Sequence, residues 1–548
     1  MKKVTKTGDS ISQQKTGIHL REEYPIQHSG KRRASSGVTA ALLIGFFLLI
    51  PIRALAQQPE ANSSGGFLDS LNNGFAQIVT VLSGIFFFPI GGENGFPLIV
   101  LWLIAAGIYF TFRMGFINFR AFKHAIDVVR GKYDDPHDAG EVSHFQALSA
   151  ALSGTVGLGN IAGVAVAIQL GGPGAMFWLT LSGLFGMTTK FVECTLGVKY
   201  RRVLEDGTVL GGPAYYLTRG LLNKGLGSMG RGLAVLFALV TIPASLGAPN
   251  MFQSNQAYAA ITNLIPGLPN WLFGIGLAIL SGIVILGGIR RIGAVAEKLV
   301  PAMALIYAAA CLWIILANLS EVPGAIGTVI REAFAPTAVA GGIVGTMVQG
   351  IRRATFSNEA GAGSAATAHA AARTDEPVRE GIVALLEPFI DTICICNLTA
   401  IVIVLTGVYQ NTNSELGGVA LTTQAFGSVI GWFPVVLSIA VFLFAFSTIL
   451  SWSYYGVQAW TYLFGPRRLI LFKLIYLFFT FLGPIASLST VIDFSDMMFF
   501  SMAIPNLIGC YILSNEVAAD LKDYWHRLTS GQMPTYAEQQ AVEIGANR

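Results

Sequence analysis

Charge is scarce in this chain. Asp, Glu, Lys and Arg together make up 12% of its 548 residues, about half the share of a soluble domain. That deficit excludes an ordinary soluble enzyme of two or three domains. Cysteine is scarce too. Cys194, Cys311, Cys394, Cys396 and Cys510 all fall in apolar runs, and their spacing fits neither zinc nor a disulfide framework. They read as small hydrophobes in helix packing. No G-x-x-x-x-G-K-[ST] loop is present, which excludes that route to ATP drive. No nucleophile elbow or metal-ligand spacing appears, so no enzyme and no cofactor is expected. The net charge of +4 is small, and no nucleic-acid or protein partner is implied.

What is present is apolar. Hydrophobic residues make up 53% of the chain and mean hydropathy is +0.59. Serial runs of about 20 apolar residues predict a polytopic all-α membrane protein in a lipid bilayer. Eleven segments are expected, near 97–114, 146–169, 174–198, 232–255, 270–289, 299–318, 342–370, 381–408, 433–462, 468–491 and 495–515. Residues 1–56 read as a leader. Lys31, Arg32 and Arg33 precede the apolar stretch Val38–Ile50, and Ala54-Leu55-Ala56 offers a cleavage site, as in a signal peptide. The rival reading is an uncleaved anchor helix, which would make twelve spans. Residues 57–96 are expected outside the membrane or at its interface, and the polar tail 516–548 is expected in the cytoplasm, fraying from Asn515.

Loop charge sets orientation. Arg113, Arg120, Lys123, Arg130 and Lys132 lie between segments 1 and 2, and Lys199, Arg201 and Arg202 follow segment 3. The loops at 256–269 and 409–432 carry neither Lys nor Arg. This alternation predicts a mature N-terminus outside and a C-terminus inside, in the cell (inner) membrane. Segments 2–6 (146–318) and 7–11 (342–515) are five helices each. Five is odd, so the second set enters from the opposite side, which gives an inverted five-plus-five repeat with 97–114 as one extra N-terminal helix.

Two stretches interrupt the apolar pattern at matching places. Residues 153–164 read SGTVGLGNIAGV and residues 357–368 read SNEAGAGSAATA. Glycine-interrupted segments in corresponding positions of two halves point to a transporter's binding site, because unwound backbone survives in a membrane only where it lines a cavity or is buried in protein. A break in segment 2 exposes amides that suit a carboxylate and carbonyls that suit Na⁺. Thr155 adds a hydroxyl and Asn160 a side-chain oxygen. The rival reading is close helix packing through small residues. Glu359 inside a span is costly unless used. Ser447 and Thr448 are adjacent hydroxyls that suit a hard cation, or else bond back to the preceding helical turn. Lys190 and Glu193 are spaced to pair within one helix. His369, Glu387 and Asp391 lie inside predicted spans, as proton relays or as partnered groups.

Several runs together, Gly140–Leu148, Thr155–Gly163, Gly171–Ala175, Lys190–Cys194, Gly211–Tyr216, Arg353–Gly363 and Ser451–Gly456, resemble the alanine or glycine:cation (sodium:alanine) symporter family of the amino acid–polyamine–organocation superfamily. The likeness covers about residues 95–515. Val156–Asn160 also resembles the first broken helix of neurotransmitter:sodium symporters. The resemblance implies amides of Leu158 and Gly159 on a substrate carboxylate, and Asn160 near one sodium. It implies Ser447 and Thr448, with carbonyls of Ser153 and Val156, around a second sodium. Its glycine-rich sixth core helix corresponds to Phe356–Ser364. The expected substrate contacts are therefore Thr155, Gly157, Leu158, Gly159 and Asn160, then Phe356, Asn358, Gly361, Gly363 and Ser364, with Phe356 and Trp452 as walls. After Gly456 the family usually has an acid, whereas Val457 and Gln458 follow here. The implied function is symport of a small neutral amino acid, alanine or glycine, with Na⁺ as coupling ion. The alternative is a proton-coupled or other cation-coupled carrier of another small solute.

Overall fold

The structure, a computed structural model, describes residues 89–90, 96–335, 342–410, 418–486 and 488–546. The leader, its cleavage site and the apolar stretch ending at Phe88 lie outside the described residues.

The described chain is almost wholly helical; its strands are two short antiparallel ribbons, Pro89–Ile90 with Phe96–Pro97 and Arg202–Val203 with Val209–Leu210. Five helical stretches are long and apolar enough to cross a membrane: Gly227–Thr262, Gly288–Ala317, Pro377–Thr406, Phe433–Phe464 and Asp496–Thr529. A sixth span is a bent pair, His144–Thr155 and Gly159–Gly171, with axes 48° apart. Leu98–Arg113, Asn270–Ile285 and Leu469–Ile485 are shorter apolar helices.

Two further helices look too polar for lipid, and packing explains why. Ala175–Lys199 carries Lys190 and Glu193, and Gly342–Asn358 carries Arg352 and Arg353. These two pack closely on each other. A Cβ at Gly350 would come within 2.7 Å of Trp178 Cβ, so a small residue is what allows the approach. Surrounded by protein, they need no apolar exterior. The opposite pattern marks the lipid face. Leu305, Leu312, Trp313 and Leu316 on one helix, and Ile470, Leu474 and Phe478 on another, are exposed at helical spacing, as bilayer contact requires.

Helices also form where loops were expected: Ile117–Arg120, Phe122–Val129, Pro213–Asn223, Val322–Phe334 and Val419–Val429. They are short and half polar, so apolar-run length does not reveal them. The C-terminal tail is a second correction. It does not fray at Asn515; the last long helix runs Leu488–Thr529, and Tyr536–Ala546 is helical again. Its polar residues dock it. Glu516 and Asp520 pair with Lys199 at 2.8 and 2.5 Å, and Arg527 pairs with Glu376 at 2.7 Å. Tyr524 meets His124 at 2.8 Å.

The first break follows from its residues. Ser143 starts the helix with a capping box to Gln146. Val156 leaves the helical region at ψ 84°, and the turn Gly159–Gly163 is wide before the helix resumes at Val164. The second broken helix ends at Asn358 and resumes as Ala365–His369. Gly361 and Gly363 take φ of +95° and +80° between them, which only glycine adopts freely. Beyond it, the Arg201 guanidinium donates to the carbonyls of Ala139, Ala370, Ala372 and Thr374 at 2.5–2.7 Å, satisfying a frayed helix end inside the protein.

Candidate functional site

The two broken helices meet at their breaks. A Cβ on Gly159 would stand 3.3 Å from Ser357 Cα and 3.5 Å from the Phe356 ring. The first break thus approaches the second as closely as backbone without a side chain permits.

A pocket lies at that junction. Gly154, Thr155 and Gly159 line it from the first broken helix, and Phe356 and Glu359 from the second. Ala248 and Pro249 come from the wide turn Gly247–Phe252 inside Gly227–Thr262, and Gln253 opens the helix just after it. Thr448, Trp452 and Phe499 complete the wall. The enclosed space is about 10 Å³, enough for about one water. An amino acid enters only if these side chains move.

The polar groups converge on the break. The Gly157 N–H donates to Asn160 Oδ1 at 2.9 Å, and the Leu158 N–H donates to Gln253 Oε1 at 3.1 Å. Amides that start a half-helix are thus turned toward acceptors. Across the pocket, Glu359 sits at φ +58°, a conformation that costs a non-glycine residue about 1–3 kcal/mol. The surroundings hold it there. Trp452 Nε1 donates to Glu359 Oε1 at 2.7 Å, and Ser364 Oγ donates to Glu359 Oε2. Ser364 itself faces a neighbouring cavity with Thr367, Tyr455 and Gln458. The Glu359–Ser364 bond therefore stands between two cavities.

Of the residues expected at the site, the pocket brings together Thr155, Gly159, Phe356, Thr448 and Trp452. A Cβ on Gly157 would touch Thr448 Oγ1, so these two are also adjacent. The remaining expected residues lie elsewhere. Asn160 sits behind the break, where its Nδ2 donates to Asp391 Oδ1 at 2.6 Å. Asn358 faces Thr392 at 3.0 Å and its own turn at Ala360. Gly361 offers its carbonyl to Asn506 at 2.7 Å, and Gly363 packs on Pro213 and Asn506. These last three shape the turn rather than the pocket wall. Ser447 and Thr448 both donate to the Phe444 carbonyl, at 2.9 and 3.1 Å, and Ser447 Oγ also meets Met303 Sδ at 3.7 Å. Ser153 Oγ ties the first broken helix to the Ser447 carbonyl at 2.8 Å. Val156 is buried at the end of its helix.

Gln253, Glu359 and Phe499 carry more of the site than spacing suggested. Gln253 had one visible signal: it follows Pro249 and Asn250 and opens the polar run Gln253–Gln256 at the end of an apolar stretch. Lys190 does not pair with Glu193. It reaches Glu387 at 3.0 Å, with both side chains fully buried, while Glu193 accepts from Asn506 Nδ2 at 2.6 Å. His369 is partnered as well, by Glu380 at 2.5 Å and Glu387 at 3.7 Å.

The sequence matches a known family. Residues 89–538 match the model of the sodium:alanine symporter family. A sodium/alanine symporter, AgcS, of Methanococcus maripaludis is 39% identical over 430 residues, 78% of this chain and 94% of that protein. A probable sodium/glutamine symporter, GlnT, of Bacillus subtilis is 35% identical, over 80% of this chain and 90% of that protein. A putative sodium/proton-dependent alanine carrier, YrbD, of the same organism is 37% identical, over 80% and 92%. The chain belongs to the sodium:alanine symporter family, and is a multi-pass membrane transporter of the sodium-coupled amino-acid symporter class.

Proposed function

We propose that this transporter takes up a small neutral amino acid, alanine or glycine, together with Na⁺. One observation carries the substrate reading: the Leu158 amide at the first break faces the pocket's Gln253 oxygen at 3.1 Å. A substrate carboxylate oxygen is a better acceptor for that amide than a neutral Gln oxygen, because charge-assisted hydrogen bonds are about twice as strong. The carboxylate would take the Gln253 oxygen's place, with the Gly159 amide beside it. Phe356, Trp452 and Phe499 leave little room beyond the α-carbon, which supports a methyl or hydrogen side chain over a long one. The name of the glutamine-linked relative keeps a larger substrate in view, and the aromatic wall argues against it here.

Na⁺ is assigned to the oxygens around Ser153, Val156 and Thr448, with Ser447 and Asn160 adjoining. Thr448 Oγ1 donates to Phe444 and keeps lone pairs toward Gly157, the first break's flexible point. Co-binding at that point couples ion to substrate, since each favours the geometry the other needs. The frame we propose is the inverted repeat of 146–318 and 342–515, with the N-terminus outside and the C-terminus cytoplasmic. The test is uptake of labelled alanine into proteoliposomes with competitors. Alanine, glycine and serine should compete, and leucine and phenylalanine should not. Leucine competing as well as alanine would overturn the small-pocket reading.

A further inference from the structure

Beside the substrate pocket lies a second cavity, parted from it by the Glu359–Ser364 bond. Ser364 and Thr367 line it from the second broken helix, and Tyr455 and Gln458 from Phe433–Phe464. Phe237 and Met502 supply apolar wall. None of the described residues that line it is charged. It encloses about 10 Å³, as the first pocket does.

Two side chains in its wall have polar atoms to spare. Gln458 Nε2 donates to Tyr454 Oη at 2.8 Å and to the Val209 carbonyl at 3.4 Å. That carbonyl can only accept, so it fixes which way the amide points and leaves Oε1 as a free acceptor. Gln458 is 7% exposed and Tyr455 2%. Neither Gln458 Oε1 nor Tyr455 Oη has a hydrogen-bond partner among the described residues. Buried polar groups are nearly always partnered, so two spare ones beside a single cavity mark a place built for a visiting group. Tyr455 also joins the two cavities. A Cβ on Gly154, in the first pocket's wall, would stand 3.2 Å from Tyr455 Oη. Trp452, in the same wall, packs edge-on to the Tyr455 ring at 5.1 Å.

We propose that this cavity is a second station for the amino acid, entered when the solute leaves the pocket between the breaks. This deepens the proposed amino-acid transport and rests on it. An uncharged wall suits a solute without net charge. Gln458 Oε1 is an acceptor for the ammonium group, and the Tyr455 and Thr367 hydroxyls are donors for the carboxylate. Phe237 and Met502 take the small side chain. A bare cation would find oxygens on one side only, short of the shell it needs. Gly211 and Pro213 also line the cavity, so it lies toward the loop that carries Arg201 and Arg202, the cytoplasmic side of the proposed frame. Glu359–Ser364 is then the partition that the amino acid crosses on its way in. Once Ser364 turns from Glu359, its hydroxyl becomes a further donor to the arriving carboxylate.

The test uses the full-length protein with Ala459→Cys, a cavity-wall position beside Gln458. Its reaction with N-ethylmaleimide is followed in saturating Na⁺, with labelling of the parent chain subtracted. Alanine should slow the reaction at least threefold. Adding Gln458→Leu should remove that protection, while labelled alanine still binds the first pocket with affinity within twofold of the parent. Gln458→Leu alone should lower the maximal rate of uptake into proteoliposomes at least fivefold. Tyr455→Phe should act alike in both assays, and it decides the matter if Gln458→Leu does not fold. Protection that persists in these variants would mean that alanine acts from the first pocket alone, and would overturn the station. Labelling that alanine never slows, in protein that binds alanine, would overturn it too, as would an unchanged maximal rate in both variants. Protein that neither binds alanine nor takes it up with Na⁺ would overturn the proposed function and the station with it.

Discussion

Replacing Gly159 in a graded series tests the junction of the two breaks most sharply. An alanine Cβ there would stand 3.3 Å from Ser357 Cα and 3.5 Å from Ser357 Cβ and the Phe356 ring. The first distance asks backbone to give by a few tenths of an ångström. Gly159→Ala should therefore weaken alanine binding by less than about tenfold, or under about 1.4 kcal/mol. Gly159→Val adds two methyl groups between two helices that already touch. Overpacking of this kind costs about 1–3 kcal/mol, or about 5- to 150-fold in affinity, and it spreads the amides of Leu158 and Gly159 away from Phe356. The assay is equilibrium binding of labelled alanine to purified protein in saturating Na⁺, with membrane insertion checked by yield and monodispersity. Wild-type affinity in the valine variant would refute the claim that the substrate sits where the breaks meet.

Three further outcomes follow from single contacts. Thr448→Val keeps shape and removes the oxygen at Gly157, so half-maximal Na⁺ for uptake should rise several-fold, whereas Ser447→Ala should change it less because that hydroxyl faces Met303; equal Na⁺ dependence in both variants and wild type would return them to helix packing. Lys190→Met strips Glu387 of its close buried partner and leaves it only His369 at 3.7 Å, a loss of about 3–5 kcal/mol for such pairs, and should cost most of the folded yield. Adding Glu387→Gln should restore part of that yield, and equal yields in the single and double variants would contradict the pairing. Trp452→Phe removes the donor to Glu359 Oε1 and should lower alanine affinity by about five- to a hundredfold, as a buried acceptor left unsatisfied at about 1–3 kcal/mol implies; unchanged affinity would remove Glu359 from the pocket's closing contacts.

Much of this architecture was legible in the residues because lipid imposes a simple rule. Apolar length placed Phe433–Phe464, and glycine with polar side chains placed both breaks; apolar length missed the start of Gly288–Ala317, whose first turns carry Arg290, Arg291 and Lys298 and read as a loop between 289 and 299. The first break falls inside the glycine-rich run 153–164, but that Val156 ends the helix and that Gly159 faces Phe356 are visible only in three dimensions. The rule fails where protein replaces lipid. Ala175–Lys199 can carry a charged pair partner because its neighbours supply Glu387, which lies about two hundred residues away in sequence. For the same reason the local spacing of Lys190 and Glu193 suggested the wrong pair. The second break was harder to read. Asn358, Gly361 and Gly363 look like ligands in a string of small residues, yet positive φ and contacts with Asn506 and Pro213 account for the glycines, and hydrogen bonds to Thr392 and Ala360 account for Asn358. Gln253 was hidden because it opens a polar run, Gln253-Ser254-Asn255-Gln256, in which no residue stands out; its place just past the widened turn Gly247–Phe252 and four residues after Pro249 sets it apart. The docked tail shows the same limit, since its polar face reads as solvent-exposed until Lys199 and Glu376 are placed beside it.

The central claim is that Na⁺ and a small amino acid move together through the junction of the two breaks. It is tested most directly by labelled alanine uptake into proteoliposomes at fixed pH, with an inward Na⁺ gradient or with K⁺ replacing Na⁺ on both sides. Concentrative uptake that needs the Na⁺ gradient, and collapses when that gradient is dissipated, is the result this account predicts. Equal concentrative uptake without Na⁺, driven instead by an imposed pH gradient, would contradict it.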